Sequence, residues 1–161
     1  MYVEDLIVND ARAEDIDSFK CEMATHFRMS NLGMLSYYLG IKVRQGKEAL
    51  MLGQSSYASK LLERSGMAEC KPCVTPMEER LKLTKASTTT KVDATLYRSI
   101  VGGLRFLAHT RPNIEFAMGY ISRFMEDPRE DQWVTVKPLL RYVKGMVDQV
   151  IVFPKTDRSG L

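Results

Sequence analysis

The sequence predicts an α+β fold, on two features taken together. Residues 35–54, "LSYYLGIKVRQGKEALMLGQ", read as two short strands meeting at Gln45-Gly46-Lys47, where glycine can take the positive φ of a tight hairpin turn. Apolar residues recur at spacings of three and four once before this stretch and in three successive segments beyond residue 93, the period of helices with one buried face.

In chain order, Val3 and then Leu6, Ile7 and Val8 enclose the adjacent carboxylates Glu4 and Asp5, so a strand carrying a site is expected at the start. Over 11–27, Ile16, Phe19, Met23 and Phe27 form one stripe of a helix that Asn9 or Asp10 can cap. After the hairpin, Gln54 to Arg64 is a short helix with Tyr57, Leu61 and Leu62 inward, stopped by Ser65-Gly66. Residues 67–93 hold two prolines, a threonine run and scattered lysines without sustained period, as a linker does. Asp93 caps a helix to about Thr110 with Leu96, Ile100, Leu104 and Leu107 on one side, and Arg111-Pro112 breaks it. Pro112 to Met125 forms the next, facing inward through Ile114, Met118, Ile121 and Phe124. The last starts at Asp127-Pro128, with Asp127 and Glu130 at capping-box spacing and Trp133, Val136, Leu140 and Val143 inside. Pro138 should kink or end it, at about 3 kcal/mol. "QVIVF" is a final short strand.

Composition excludes some classes. The chain has 161 residues, 45% hydrophobic and 27% charged, enough for a packed core. No stretch nears the roughly 20 apolar residues of a membrane span, and no basic and apolar leader opens it, so an intracellular protein is expected. Net charge is +3 but uneven, −4 over residues 1–30 and +7 over the rest; a basic body suits a polyanion, though on charge alone a merely soluble surface is the better reading. Cys70 and Cys73 form a C-K-P-C pair, but Cys21, His26 and His109 make no second pair for zinc, so two loop thiols are the better reading.

Tyr2-Val3-Glu4-Asp5 resembles the Tyr-x-Asp-Asp box of reverse transcriptases. With it, "FRMSNLGMLSYYLGIKV", "YASKLLERSGM", "CKPCVTPME", "LYRSIVGGLRFLAHTRPNIEFAMGYISRFMEDP" and "LRYVKGM" resemble, in order and spacing, the polymerase of Ty1/copia-type retrotransposons, from residue 2 to about 153. The resemblance implies a partial palm at 1–66 with a primer-grip-like hairpin, a linker at 67–93, a helical thumb and connection at 94–146, and at 147–161 the start of a strand leading toward an RNase H region. In the family the box aspartates and a third, upstream carboxylate hold two magnesium ions about 3.5–4 Å apart that activate the primer hydroxyl and neutralise the triphosphate.

Three departures accompany it: the upstream palm and fingers and the RNase H region are expected to lie outside these 161 residues, and Glu4 replaces the first aspartate. Its extra methylene displaces a carboxylate from the near-ideal octahedron magnesium demands. The chain alone is therefore expected to be inactive as an RNA-directed DNA polymerase, with Glu4 and Asp5 an incomplete magnesium site or two solvated carboxylates.

Residual binding of an RNA/DNA primer–template is what the resemblance leaves. The grip would set Tyr38, Leu39 and Gly40 near the primer backbone, unless Tyr37, Leu39 and Ile41 simply alternate inward along a strand. In "RSIVGGLRF", resembling the thumb helix laid in the duplex minor groove, Arg98, Gly102 and Phe106 are spaced by four and share a face. The plainer alternative is that Gly102-Gly103 marks a close helix crossing and Phe106 belongs to the core. Lys60, Arg64, Lys71, Arg80, Lys82, Lys85 and Lys91 would add general phosphate attraction. A non-enzymatic interaction module or a retroelement remnant without function is the alternative, and the open strand at Leu6-Ile7-Val8 offers an edge to the missing polymerase portions or to another chain.

Overall fold

Acidic residues in the first turn favour a helix over Ala13–His26, α1, because carboxylates near the N-terminus oppose the backbone dipole. Its N-cap position is Arg12, without a capping side chain, rather than the expected Asn9 or Asp10; the Arg12 guanidinium instead bonds Asp15 at 2.6 Å. In the computed structural model, which describes residues 6–9, 12–78 and 81–155, α1 belongs to the first of two units, residues 1–36. No residue of α1 is buried, and Phe19 and Phe27 of the predicted stripe are exposed. The expected opening strand is not formed in its described part: residues 6–9 have no regular structure, and Leu6 and Ile7 are exposed. Tyr2, Glu4, Asp5 and Asp10 lie outside the described residues.

The second unit, residues 37–161, begins with a four-stranded antiparallel sheet of order β1-β2-β3-β4, formed by Tyr37–Tyr38, Ile41–Gln45, Ala49–Gly53 and Val150–Pro154. The predicted strands are β2 and β3, in register Val43 to Leu52. The left-handed backbone lies elsewhere than expected. Gly46 is not left-handed, whereas Leu39 (φ 45°) and Gly40 (φ 83°) both are, giving β1 and β2 a two-residue turn of the twist that antiparallel strands favour. Leu39 thus sits at a hairpin tip, not inward on a strand. Strand β4 pairs back onto β3, Ile151 opposite Leu52, as the fourth strand of this sheet.

Helix α2, Ser55–Arg64, buries Ala58, Leu61 and Leu62, with Tyr57 half-buried. It ends as predicted: Met67 N–H reaches Leu62 O and Gly66 N–H reaches Glu63 O, closing the helix through the glycine. Helix α3, Ala94–Ala108, is capped by Asp93, whose carboxylate accepts from the N–H groups of Thr95 (2.8 Å) and Leu96 (3.2 Å). Its inner face is Tyr97, Ile100, Leu104 and Leu107; Leu96, expected inward, is exposed, because Tyr97 holds that place with its hydroxyl donated to Ile121 O. The predicted 112–125 helix is α4, Glu115–Ile121, between single 3-10 turns at Pro112–Ile114 and Ser122–Phe124. Its four predicted core residues are buried.

Helix α5, Glu130–Gly145, starts two residues later than expected. Gln132 Oε1 accepts the Arg129 N–H, while Asp127, expected as the cap, pairs with Lys91 (3.1 Å) and Arg129 (2.8 Å). Pro138 does not end the helix, which runs on to Gly145, and its carbonyl accepts the Cys73 thiol.

One core joins α2, α3, α4 and α5, so the segments at 37–66 and 94–146 pack together. Among its described residues the 67–93 segment has no helix or extended strand, and it is pinned along this core. Met67, Met77, Leu83 and Val92 pack against it, Tyr120 Oη joins Leu81 O and Leu83 N–H, and Arg141 holds both Lys71 and Cys73 by their backbones. At its C-terminal edge Arg111 is 1% exposed; its guanidinium donates to the carbonyls of Met146 and Val147, and burial, opposed by Asp148, lowers its pKa.

Candidate nucleic-acid interface

Two of the predicted site segments, far apart in sequence, touch. A Cβ at Gly40 would lie 3.1 Å from Cε1 and Cζ of Phe106, so the β1–β2 turn rests on the Phe106 ring as closely as a glycine allows. Tyr57 of α2 packs edge-on against the same ring at 4.7 Å between centroids, and His109 lies on another side at 5.7 Å. Phe106 is therefore partly covered rather than freely offered. Gln54, buried after β3, fixes the relation of sheet to helix: it donates to Phe106 O and accepts the Thr110 hydroxyl at 2.7 Å.

The two adjacent glycines of α3 part company, since neighbours on a helix point about 100° apart. Gly103 is where α2 crosses: a Cβ there would lie 2.5 Å from Leu61 Cδ1. Gly102 faces outward, and a Cβ on it would meet nothing within 4 Å. The close helix crossing is therefore at Gly103 alone, and Gly102 is left exposed. Arg98 is exposed on the Gly102 side, with its guanidinium donating to Met125 O at 3.2 Å. At the turn, Leu39 is 71% exposed and Tyr38 37%. Tyr38, Leu39, Gly40 and Phe106 are brought together through the Gly40 contact, while Arg98 and Gly102 continue the exposed face of α3 toward its N-terminus.

Sequence reasoning assigned neither Arg105 nor His109 to this face, which both share, nor the bond from Arg64 to Ser99 O at 3.3 Å. Helices α2 and α3 together carry Lys60, Arg64, Arg98 and Arg105 against the single acid Glu63. Of the other predicted cations, Lys71, Lys82, Lys85 and Lys91 lie on the 67–93 segment, Lys91 paired to Asp127, and Arg80 is outside the described residues. Among the described residues no three His, Cys, Asp or Glu side chains are grouped as a metal would need, and Cys70 and Cys73 are free thiols. No helix among them is long and apolar enough to cross a membrane.

The family described as "Reverse transcriptase (RNA-dependent DNA polymerase)" matches residues 1–79. The retrovirus-related Pol polyprotein from transposon RE2 of Arabidopsis thaliana is 35% identical over 161 residues, covering the whole chain and 11% of the polyprotein. The Pol polyprotein from transposon TNT 1-94 of Nicotiana tabacum is 33% identical, covering 98% of the chain and 12% of that protein. An uncharacterized mitochondrial protein of Arabidopsis thaliana is 34% identical over the whole chain, which spans 67% of its length. No solved structure matches.

Proposed function

The chain belongs to the reverse-transcriptase family of copia-type retrotransposons, and from that premise we propose that its own share of the work is to hold an RNA/DNA primer–template. The family uses divalent metal ions and binds template–primer. In this reading Tyr38, Leu39 and Gly40 lie along the primer backbone, and α3 lies in the minor groove with Gly102 at the point of closest approach. The observation that carries it is the contact of Gly40 with Phe106, which joins the grip-like turn and the thumb-like helix into one surface.

Shape argues for a hybrid duplex. An α-helix with its side chains is about 10–12 Å across, too broad for the ~6 Å minor groove of B-DNA but not for the wide, shallow minor groove of A-form helices, where 2′-hydroxyls are displayed. Contacts of this kind follow shape and backbone, which suits a protein that must accept any template sequence. Catalysis is a separate matter. Glu4 stands where the family box has aspartate, and magnesium tolerates little displacement of its ligands, so the chain on its own binds without extending.

The test is titration of the purified protein against a labelled RNA/DNA primer–template over a salt series, with magnesium and nucleotides in a parallel reaction. Binding whose logarithm falls linearly with log salt is expected, weakened when Arg98→Ala and Phe106→Ala are combined. No binding at low salt by a folded sample, or equal binding by the double variant, would refute this surface. Primer extension in the parallel reaction would refute the account of Glu4.

A further inference from the structure

We propose that Arg64, on α2, contacts the phosphates of one strand of the duplex while Arg98, on α3, contacts those of the other, so that Gly102 forms the floor of a channel between two cationic walls. This rests on the duplex-binding reading above and adds to it a second helix and an assignment of strands.

The geometry comes from the α2–α3 crossing. At about 100° per residue, Gly102 lies between Arg98 and Arg105 on one side and Phe106, Ser99 and Gly103 on the other. That second side is roofed by α2: Tyr57 against Phe106, Leu61 over Gly103, and the Arg64 guanidinium donating to Ser99 O and lying 3.1 Å from where a Gly103 Cβ would be. Lys60 is exposed one turn before Arg64, so α2 presents its own row of cations beside the channel. The bond to Ser99 O uses one guanidinium nitrogen, and a guanidinium has five N–H donors, which leaves Arg64 with donors for a phosphate while its position is held. Arg98 is held in the same manner on the opposite flank by Met125 O. Two anchored guanidinium groups astride a bare helix surface match the two phosphate rows that border a minor groove. A single strand offers only one such row. Glu63, the one acid of the two helices, follows Lys60 on the far side from Arg64 by the same helical count.

Strand-specific neutralisation tests this. Binding of the wild type, Arg64→Gln, Arg98→Gln and Arg64→Lys is measured over a salt series with an RNA/DNA hybrid, then with hybrids whose phosphates are replaced by neutral methylphosphonates in the RNA strand only or the DNA strand only. On the unmodified hybrid each Gln variant should lower the slope of log affinity against log salt by ~0.9, one phosphate's share, and Arg64→Lys should retain it. Neutralising one strand should abolish the effect of Arg64→Gln and spare that of Arg98→Gln; neutralising the other should do the reverse. Lys137→Gln, an equal loss of charge at an exposed position of α5, controls for net charge. The inference is overturned if both arginines respond to the same strand, or if Arg64→Gln leaves the slope unchanged or shifts it no more than Lys137→Gln. A wild type that binds no hybrid overturns the underlying reading instead, and this inference with it.

Discussion

Replacing either glycine of the Gly102-Gly103 pair by alanine adds one methyl group, and the two should act in opposite directions on stability. Alanine is favoured over glycine in a helix interior by about 1 kcal/mol. At Gly102 nothing opposes this gain, because no atom lies within 4 Å of the new Cβ. For a chain of this size 1 kcal/mol corresponds to roughly 2–4 °C in Tm, so Gly102→Ala should melt higher by that amount. At Gly103 the same gain meets Leu61 Cδ1 at 2.5 Å and Cδ2 at 3.3 Å. Leu61 is 1% exposed and cannot swing into solvent, so the methyl overpacks the crossing at about 1–3 kcal/mol and the net is a loss of up to about 2 kcal/mol. Urea unfolding of both variants reads these signs directly.

The stabilised variant is the informative one for function, since its binding cannot be confounded by unfolding. If backbone at Gly102 approaches the sugars of a duplex, a methyl there overpacks a close interface by a comparable ~1–3 kcal/mol, and affinity for an RNA/DNA hybrid should fall about tenfold for each 1.4 kcal/mol. Fluorescence anisotropy at one fixed salt measures it. A Gly102→Ala protein that is more stable and binds equally well would refute the close approach, and one that is less stable would refute the outward placement of Gly102.

Arg111→Met should be destabilising, because the carbonyl of Val147 loses its Arg111 donor and that of Met146 keeps only the Gln149 N–H, at about 1–3 kcal/mol for a buried acceptor left unpaired; urea unfolding showing a loss under 1 kcal/mol would contradict this. The hydrogen bonds from Lys91 and Arg129 hold the Asp127 carboxyl below its ordinary pKa. Its stabilising effect is thus complete above the unfolded value of about 3.9 and is lost as pH falls through the lower folded value. Asp127→Asn should accordingly flatten the acid limb of the stability curve below about pH 4, the more so at low salt, and a steeper limb would sink the assignment. Pro138→Ala restores an N–H four residues after Val134 within the unbroken α5, so stability should rise by as much as ~3 kcal/mol; a fall would mean that α5 depends on the proline ring.

Local causes were legible in the sequence and remote ones were not. Asp93 reads as a cap because the N–H groups it accepts are two and three residues away, and Ser65-Gly66 reads as a stop for the same reason. The turn at Leu39 has no local signal, because left-handed backbone is costly for a branched side chain, and only the Tyr38–Ile41 pairing shows that it is there. Arg111 read as part of a break, since a charge beside a proline gives no sign that two carbonyls 35 and 36 residues later will enclose it. The 67–93 segment lacks period because its bonds run to α4 and α5 one residue at a time, which no repeat records.

The candidate site divides along the same line. Spacing by four puts Arg98, Gly102 and Phe106 on one face whatever surrounds the helix, so that much was available in advance. Which side of that face is open depends on α2, and the crossing is decided by Gly103, whose missing side chain admits Leu61. Without Gly103, α2 would stand farther off and Arg64 could not reach Ser99 O. The inward glycine therefore sets the place of Arg64 beside α3, while the outward one leaves that stretch of the helix bare. Two identical adjacent residues acquire different roles only because a helix turns about 100° between them.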